Sequence, residues 1–300
     1  MKIAITGGSG FLGRYVINAI KDLNHTSIIL TRKDLENEND VEYRKTDYTI
    51  NDLIQKLHDV DAVVHLAAKR GSQGNISEFH NNEILTQNLY ESCFENNITN
   101  IVFASSISVY SDAKSLPWTE KDLPSPSLMY GISKLANEYI GNLYSEKKGL
   151  CIKNLRFAHL FGFNEKNNYM INRFLRQAFH KEQLVINTKS VAKREFLYAK
   201  DAAKAIICAL KHSTVSGTFN IGSGDAFTNY EVAEKINAIF GNDKNLLIKN
   251  SDAEETIKSS YMDSSKARKE LNFSSDYTFE EALKEIYSLM WGLDDVPLWY

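Results

Sequence analysis

The chain has 300 residues, which is enough for one large domain or two closely associated domains. Its hydrophobic content of 43% and aromatic content of 11% exclude a disordered polymer, because such a chain can bury a sizeable core. A net charge of −3 argues against a nucleic-acid-binding surface.

The cysteines and the apolar runs indicate the cellular compartment. Cys93, Cys151 and Cys208 are odd in number and widely spaced, which suits neither a zinc site nor a disulfide framework. Buried free thiols are predicted, with a catalytic cysteine as the alternative. The chain reaches glycine by residue 7, and its longest apolar run, AIICAL at 205–210, is too short to span a membrane. We therefore expect a soluble, cytoplasmic protein with neither a membrane nor a nucleic-acid partner.

Two hydrophobic periodicities alternate along the first half of the chain. Short segments rich in Val, Ile and Phe predict buried strands at 2–6, 27–30, 61–67, 100–106 and 150–157. Longer patterns between them predict helices at 11–23, 51–58, 80–96 and 130–148. Further along, the sequence predicts helices at 170–180, 200–211, 229–240 and 278–291, and strands at 183–187 and 217–221. Strict alternation implies right-handed crossovers and a parallel sheet with helices on both faces.

The segment AITGGSGFLG joins the first strand to the first helix and carries a glycine at every third position. Gly7 can adopt the positive φ of an abrupt strand-to-helix turn, and Gly10 lets backbone N–H groups approach a pyrophosphate. Gly13 lets the helix pack against the strand. A diphosphate there would lie at a helix N-terminus, which favours negative charge. The alternative is a structural turn, since the spacing differs from G-x-G-x-x-G, but the βα context favours dinucleotide binding.

These patterns together predict an α/β protein, in which a Rossmann-type, doubly wound parallel sheet is joined to a smaller C-terminal α/β substrate-binding part. The dinucleotide-binding domain is expected over 1–160 and the mainly substrate-binding part over 161–300. A strand and a helix near 191–221 are expected to return to the first sheet. Thr228 and Glu231 have the spacing of a capping box, which predicts the start of a helix at 229.

The end of the second strand bears on the choice of dinucleotide. An acidic residue there would bind the ribose 2′-hydroxyl of NAD, whereas an arginine would receive the 2′-phosphate of NADP. Thr31 stands where the acid is expected, Arg32 and Lys33 follow, and Asp34 lies further from the strand. The sequence therefore favours NADP, with Arg32 as a cofactor-binding residue, and leaves NAD as the alternative.

A tyrosine and a lysine four residues apart open the helix at 130–148. In YGISK, Tyr130 and Lys134 share one helix face. A nearby ammonium would lower the pKa of the phenol from its ordinary value of about 10, which makes the tyrosine a usable acid and base. Ser106 ends the strand NIVFASS, where open α/β sheets bind ligands, and its hydroxyl can bond the reacting oxygen. For Y-x-x-x-K alone, an ordinary amphipathic helix start is the alternative.

Ordered motifs extend along nearly the whole chain, among them TGGSGFLG (6–13), VVHLAA (63–68), YGISK (130–134), LRFAHLFG (155–162), REFLYAKD (194–201), FNIGSG (219–224) and MDSSKARKEL (262–271). In these the chain resembles the extended short-chain dehydrogenase/reductase family, in its nucleotide-sugar epimerase, dehydratase and 4-ketoreductase group. The resemblance implies Ser106, Tyr130 and Lys134 as catalytic residues, with Ser106 also contacting the substrate. The cofactor-binding residues that it implies are Gly7, Gly10, Phe11, Leu12, Gly13, Asp47, Tyr48, Ala67, Ala68, Lys69, Tyr130 and Lys134. It implies Arg194 as a ligand of the substrate diphosphate.

Three features depart from the family pattern. Ile107 and Ser108 stand where family dehydratases have an Asp–Glu pair, so 4,6-dehydration is not expected. His159 replaces an asparagine and is expected either to bond the substrate phosphate or to be structural. The arginine usually found shortly before D-x-S-K-A is absent, and Lys258 is the cation in its vicinity. No histidine shows metal-ligand spacing, so no metal site is expected.

The prediction for function is an oxidoreductase that moves hydride at C4 of a nucleoside-diphosphate hexose. Reduction of a 4-keto-6-deoxy sugar with NADPH is favoured, because Arg32 would select NADPH and a reductase must exchange its cofactor. The alternative is a 4-epimerase that retains NAD and regenerates it in place. A rival of another class is a non-catalytic regulator that senses NADP, for which a proton donor such as Tyr130 has no use. The resemblance also implies a homodimer formed through the helices at 80–96 and 130–148.

Overall fold

The computed structural model describes residues 1–38, 40–71, 74–110, 115–165, 169–250 and 252–293. Within these ranges the strands are β1 (Lys2–Thr6), β2 (Thr26–Thr31), β3 (Val41–Lys45), β4 (Ala62–His65), β5 (Asn100–Ser106), β6 (Cys151–Phe157), β7 (His159–Phe161), β8 (Leu184–Ile186), β9 (Arg194–Tyr198), β10 (Gly217–Ile221), β11 (Ala226–Phe227) and β12 (Leu246–Ile248). The α-helices are α1 (Phe11–Lys21), α2 (Ile50–Lys56), α3 (Ile76–Glu95), α4 (Met129–Lys148), α5 (Met170–Phe179), α6 (Ala199–Lys211), α7 (Asn229–Phe240), α8 (Ser265–Leu271) and α9 (Phe279–Met290). A 3₁₀ helix at Ile107–Val109 follows β5.

One large sheet has seven strands in the order β10-β6-β5-β4-β1-β2-β3, and every neighbouring pair is parallel. The chain runs outward from β1 to β2 and β3, and it then returns to the other side of β1 as β4. The carboxyl ends of β1 and β4 therefore flank a switch point, which is where open α/β sheets bind ligands. The predicted doubly wound, Rossmann-type α/β fold is confirmed.

Helices cover both faces of this sheet. On one face α1 and α6 pack against the strands, where Val16 and Ile206 are fully buried. On the other face α2 and α3 contribute Leu53 and Leu89, which are fully buried too. The central strands are consequently apolar on both sides, which explains why they read as continuous hydrophobic runs rather than as alternating patterns.

An edge strand and the start of a helix differ most from what the apolar pattern predicts. The pattern does not predict β3, because its sequence VEYRK is rich in charged residues and the strand lies half-buried at the edge of the sheet. Helix α3 begins at Ile76 rather than at residue 80. The reason is a capping box, in which the Glu78 side chain accepts a hydrogen bond from the Asn75 N–H at 3.2 Å.

The C-terminal part has its own core around two small sheets. One sheet has the order β11-β9-β7, and the other pairs β12 with β8. Helices α5, α7 and α9 surround them and bury Phe174, Ile236 and Leu283. The capping box predicted for α7 is confirmed, since Thr228 Oγ1 accepts a hydrogen bond from the Glu231 N–H at 3.1 Å.

The chain crosses from one part to the other more than once. After β9, which lies in a small sheet, α6 packs against α1 and β10 pairs with β6 in the large sheet. The ends of β5, β6 and β9 are thereby brought to the boundary between the two parts. Over the ranges described above, no helix combines the length and the apolar character needed to cross a membrane.

Candidate active site

A cleft of about 1710 Å³ lies at the carboxyl ends of the large sheet and is lined by residues of both parts. The predicted cofactor- and substrate-binding residues that line it are Gly7, Gly10, Phe11, Leu12, Gly13, Arg32, Tyr48, Ala67, Ala68, Lys69, Ser106, Tyr130, Lys134, His159 and Arg194. Asp47 does not line it. Its carboxylate accepts hydrogen bonds from the Thr49 N–H and hydroxyl, both at 2.8 Å. This bonding closes the turn before α2. The neighbouring Tyr48 lines the cleft, and a contact of Asp47 with the cofactor stays a prediction.

The glycine-rich turn after β1 leaves space where side chains would block it. Gly7 has a φ of +72°, and a Cβ on it would lie 2.7 Å from the Ala67 backbone nitrogen. A Cβ on Gly13 would lie 2.4 Å from the Gly8 carbonyl oxygen. Gly10 precedes the first residue of α1, so the free N–H groups of this helix begin at the cleft. The turn therefore fits the diphosphate of a dinucleotide.

A buried chain of hydrogen bonds ties β1 to β4 beneath this turn. The two ring nitrogens of His65 lie 2.7 Å from Thr6 Oγ1 and 2.9 Å from Thr86 Oγ1. Thr6 Oγ1 also accepts a hydrogen bond from the Ala67 N–H at 3.1 Å. Burial lowers the pKa of His65 to about 3, and the charge of Lys134 acts in the same direction, so the imidazole is neutral. Sequence reasoning includes His65 in the VVHLAA motif without assigning it this role. The signal that could have indicated a buried hydrogen-bonding role is a polar residue at the end of an apolar strand.

Arg32 and Tyr48 form one end of the cleft. The Arg32 guanidinium carbon lies 5.5 Å from the centroid of the Tyr48 ring, and the Tyr48 hydroxyl donates to the Leu30 carbonyl at 2.7 Å. Asp34 forms an ion pair with Lys45 at 3.1 Å and its side chain is 85% exposed. Asp34 is not part of the lining, so Arg32 and its neighbour Lys33 determine the charge at this end.

Ser106, Tyr130 and Lys134 all line the cleft. Tyr130 and Lys134 lie in the first turns of α4, and Ser106 lies at the end of β5. The Lys134 ammonium donates to the Ala104 carbonyl at 2.6 Å and lies 5.8 Å from the centroid of the Tyr130 ring. Ser106 lowers the pKa of the Tyr130 phenol, and Ser106 Oγ accepts a hydrogen bond from the Ser108 N–H at 3.1 Å. The three side chains predicted to be catalytic therefore share one site.

The charges around this site differ from the simple lysine–tyrosine prediction. Burial raises the pKa of Tyr130 to about 12; the positive charge of Arg70 and the bond with Ser106 lower it, and Tyr169 raises it further. Burial lowers the pKa of Lys134 to about 7, and Arg70 acts in the same direction. Arg70, which the sequence reasoning does not name, thus also acts on the phenol.

His159 and Arg194 lie on the side of the cleft formed by the C-terminal part. His159 Nε2 lies 3.0 Å from Ser260 Oγ, and burial lowers the pKa of His159 to about 3, with Arg194 acting in the same direction. Arg194 donates to Asn229 Oδ1 and stacks over the Phe196 ring at 5.5 Å. The segment that carries Ser260 also brings Lys258 to the cleft. A neutral histidine and an arginine at one wall can serve as hydrogen-bond and charge partners of an anionic ligand.

The cysteines lie away from this cleft. Cys93, Cys151 and Cys208 are free, and none of them is among the lining residues. Burial raises the pKa of the Cys93 thiol and of the Cys208 thiol, which opposes formation of the nucleophilic thiolate. Across the part of the chain that is described, no group of three or more His, Cys, Asp or Glu side chains is arranged to hold a metal ion.

Residues 3–222 match the model of the NAD dependent epimerase/dehydratase family. The chain belongs to this family. Membership confirms the resemblance to extended short-chain dehydrogenases/reductases that act on nucleotide sugars, and it identifies the protein as an enzyme of this type. The prediction of an enzyme is thereby favoured over that of a non-catalytic regulator.

Known proteins that are similar to this chain include both epimerases and a reductase. A Bacillus cereus protein solved as UDP-N-acetylglucosamine 4-epimerase is 70% identical, with a TM-score of 0.92 and 100% of each chain covered. A Bacillus cereus UDP-glucuronic acid 4-epimerase, solved with UDP-glucuronic acid and NAD, is 25% identical, with a TM-score of 0.84 and coverage of 96% of this chain and 98% of that chain. An Escherichia coli dTDP-4-dehydro-6-deoxyglucose reductase is 27% identical over 78% of this chain and 80% of its own length.

Two cleft residues of this family member are not found by sequence reasoning. Arg70 follows the VVHLAA motif and Glu165 follows LRFAHLFG, and both line the cleft. Their side chains form an ion pair across 95 positions of sequence. Neither belongs to a motif whose spacing predicts a contact, so only the folded chain brings them together.

Proposed function

We propose that the protein is a UDP-N-acetylhexosamine 4-epimerase that retains NAD between turnovers. The observation that carries the proposal is the 70% identity, over the whole of both chains, to the Bacillus cereus UDP-N-acetylglucosamine 4-epimerase. The NAD dependence named for the family supports NAD as the cofactor. The epimerase alternative is thus preferred to the reductase that the sequence alone favours.

The residues of the cleft fit a dinucleotide at the glycine-rich turn. Gly7 and Gly13 leave backbone contacts that a Cβ would obstruct, and α1 offers its N-terminal N–H groups to the diphosphate. Arg32 and Tyr48 would flank the adenosine end. When bound, NAD would supply a reversible acceptor for the hydride of C4. Tyr130 and Lys134 line the same cleft, and the reacting atoms are expected beside them.

The chemistry assigned to the protein is proton transfer at the C4 oxygen of the sugar. Tyr130 takes the hydroxyl proton while hydride leaves C4, and it gives the proton back when hydride returns. Ser106 orients the same oxygen through a hydrogen bond. Lys134, fixed by the Ala104 carbonyl, places positive charge near the phenolate. Inversion requires the hydride to return to the other face of C4, so the sugar must turn between the two steps, while Arg194 and His159 hold its diphosphate.

A second candidate is reduction of a nucleoside-diphosphate 4-keto sugar with NADPH. The specific observation in its favour is the charge at the end of β2, where Arg32 and Lys33 line the cleft and Asp34 is bound to Lys45 outside it. A 2′-phosphate would be attracted to this end. The same proton donor, Tyr130, serves a reduction in which hydride is delivered once and the cofactor is exchanged.

One experiment separates the two candidates. The purified protein is incubated with UDP-N-acetylglucosamine without added cofactor, and the cofactor that it releases on denaturation is identified. The epimerase proposal predicts UDP-N-acetylgalactosamine as product and NAD released in amounts close to one per chain. A protein that isolates without cofactor, leaves UDP-N-acetylglucosamine unchanged and oxidises NADPH in equal amount to a UDP-4-keto-6-deoxy sugar would be the reductase instead.

We further propose that the enzyme is a homodimer formed through α3 and α4. Both helices expose large apolar side chains; Ile84 is 44% exposed and Leu143 is 49% exposed. Packing of these faces against a second copy would bury them. Light scattering is expected to give about twice the 34.1 kDa chain mass. A mass of one chain at micromolar concentration would contradict this arrangement.

A further inference from the structure

Residues 162–165, which follow β7, form a tight turn that is called the bridge below. The Glu165 N–H donates to the Gly162 carbonyl at 3.4 Å. The buried Asn172 side chain, which belongs to α5, donates from Nδ2 to the Gly162 carbonyl at 3.2 Å and to the Glu165 carbonyl at 2.8 Å. The bridge is therefore fixed in shape by a side chain of the C-terminal part.

One side of the bridge is fastened to α1. The Tyr15 hydroxyl donates to the Phe163 carbonyl at 3.0 Å. Gly162 lies so close to this helix that a Cβ on it would be 2.8 Å from the Tyr15 hydroxyl oxygen and 3.1 Å from Phe11 Cζ. Phe11 is the first residue of α1 and lines the cleft, whereas Tyr15 is not among the described lining residues. The bridge thus contacts the helix whose N-terminus is assigned to the diphosphate.

The other side of the bridge is fastened to the segment that follows β4. Two guanidinium nitrogens of Arg70 donate to the two carboxylate oxygens of Glu165, at 3.2 and 3.0 Å. The guanidinium carbon also lies 5.3 Å from the centroid of the Tyr169 ring. The Glu165 side chain is 2% exposed and that of Arg70 is 38% exposed, so solvent screens this pair less than a pair on the surface. Bidentate bonding also gives the pair a defined orientation.

The bridge closes a ring of contacts at the switch point of the large sheet. Strand β1 leads through the glycine-rich turn into α1, and β4 leads to Arg70, so the bridge joins the two elements that flank this point. Phe11, Arg70 and Glu165 line one cleft together with the glycines of the turn. A ring that is closed by side-chain contacts can open and close again without unfolding of the sheet, since only those contacts have to break.

We propose that the bridge is a latch that retains NAD. The contacts that must break before the cofactor leaves are the Arg70–Glu165 pair and the bond from Tyr15 to the Phe163 carbonyl. This inference rests on the proposed function, because an epimerase that regenerates NAD in place has to keep it bound between turnovers. A reductase must release its oxidised cofactor in every cycle, and such a latch would slow it.

The test measures how fast bound NAD leaves the holoenzyme. The purified protein is mixed with an excess of isotopically labelled NAD, and mass spectrometry of the bound cofactor after desalting gives the exchange rate. Glu165→Gln removes the charge but keeps the shape of the side chain, and it is expected to speed exchange about tenfold, which corresponds to ~1.4 kcal/mol. Tyr15→Phe removes one neutral hydrogen bond and is expected to speed exchange about threefold. Glu182→Gln, at an exposed glutamate, is the control that should exchange at the wild-type rate.

The design distinguishes a latch from a direct contact between Arg70 and the cofactor. If Arg70 bound NAD directly, Glu165→Gln would free its guanidinium for the cofactor, and exchange would be unchanged or slower. Either result overturns the latch. Tyr15→Phe decides the same question if Glu165→Gln does not fold, because the Tyr15 side chain does not line the cleft in the described part of the chain.

A variant that is merely less stable provides the second control. Gly149→Ala places an alanine at a φ of +73° in a position where nothing lies within 4 Å of the added Cβ. It is expected to lower the free energy of unfolding and to exchange NAD at the wild-type rate. If Gly149→Ala speeds exchange as much as Glu165→Gln does, the effect comes from general loss of stability and the latch is overturned.

The outcomes also separate this inference from the proposed function. If the wild type retains NAD and converts UDP-N-acetylglucosamine, but Glu165→Gln exchanges NAD at the rate of Glu182→Gln, the latch is wrong and the proposed function stands. If the wild type holds no NAD and leaves UDP-N-acetylglucosamine unchanged, the proposed function is wrong. Release of NADP from the same variants then decides the latch: faster release from Glu165→Gln supports it, and equal release overturns it.

Discussion

Replacing Tyr130 with phenylalanine is expected to lower kcat by about 10²- to 10⁴-fold and to leave bound NAD in place. The phenol hydroxyl is the group that we assign to proton transfer, and phenylalanine keeps the ring and its packing. Lys134 remains bonded to the Ala104 carbonyl, so the rest of the site is retained. The loss should therefore fall on turnover, with little effect on the amount of cofactor per chain.

The matched control is Tyr139→Phe. Tyr139 lies on the same helix, α4, but its side chain is 58% exposed. It loses the same hydroxyl without touching the cleft, so kcat should equal that of the wild type. Turnover of UDP-N-acetylglucosamine and the NAD released on denaturation are measured for both variants. If Tyr130→Phe retained activity within about tenfold of the control, proton transfer would have to be assigned to another group.

The fold could be predicted largely because its signals are local. Buried strands such as β1 and β5 are apolar on both faces, and helices of clear periodicity separate them. The strand β3 could not be predicted from apolar patterns, because an edge strand needs no apolar face and this one carries charged residues. The short strands of the C-terminal part, such as β7 with only three residues, are too short for a period to be recognised.

The candidate site could likewise be predicted only where the sequence signals are local. Tyr130 and Lys134 could be paired from the sequence because four positions on a helix fix their relation. Ser106 could be added because parallel strands bring their carboxyl ends to one edge. Arg70 and Glu165 could not, since their contact depends on how the C-terminal part folds over the large sheet. The effect of burial on Tyr130 also needs the three-dimensional surroundings, because a motif carries no information about solvent.

The charge at the end of β2 shows why one residue is a weak guide to the cofactor. Arg32 led the sequence reasoning to NADP, whereas the family model and an NAD-bound relative support NAD. In the structure Arg32 stacks over Tyr48 at 5.5 Å, an arrangement that also suits an adenine ring or a ribose without a phosphate. An arginine at this position is thus compatible with both dinucleotides, and the cofactor released by the purified protein is the decisive measurement.

The second large effect is expected from a substitution in the glycine-rich turn after β1. Gly7→Ala is expected to weaken cofactor binding by about tenfold or more, because a loss of only 1.4 kcal/mol corresponds to that factor. A Cβ at residue 7 would lie 2.7 Å from the Ala67 nitrogen and 2.9 Å from its Cα, so the backbone at Ala67 would have to move. That segment lines the cleft and is tied to β1 through Thr6. Cofactor affinity and the free energy of unfolding of the apoprotein are both measured.

Gly149→Ala is the control that separates the effect of the contact with Ala67 from the effect of backbone strain. Gly149 has a φ of +73°, almost that of Gly7, but nothing lies within 4 Å of a Cβ placed there. Both variants incur the same cost of about 1–2 kcal/mol for an alanine in the left-handed region. Only Gly7→Ala adds the collision with Ala67, so it should be the less stable variant and the only one with weakened cofactor binding. Equal cofactor affinity in the two variants would mean that the collision with Ala67 has no effect on cofactor binding. The turn after β1 would then not hold the dinucleotide.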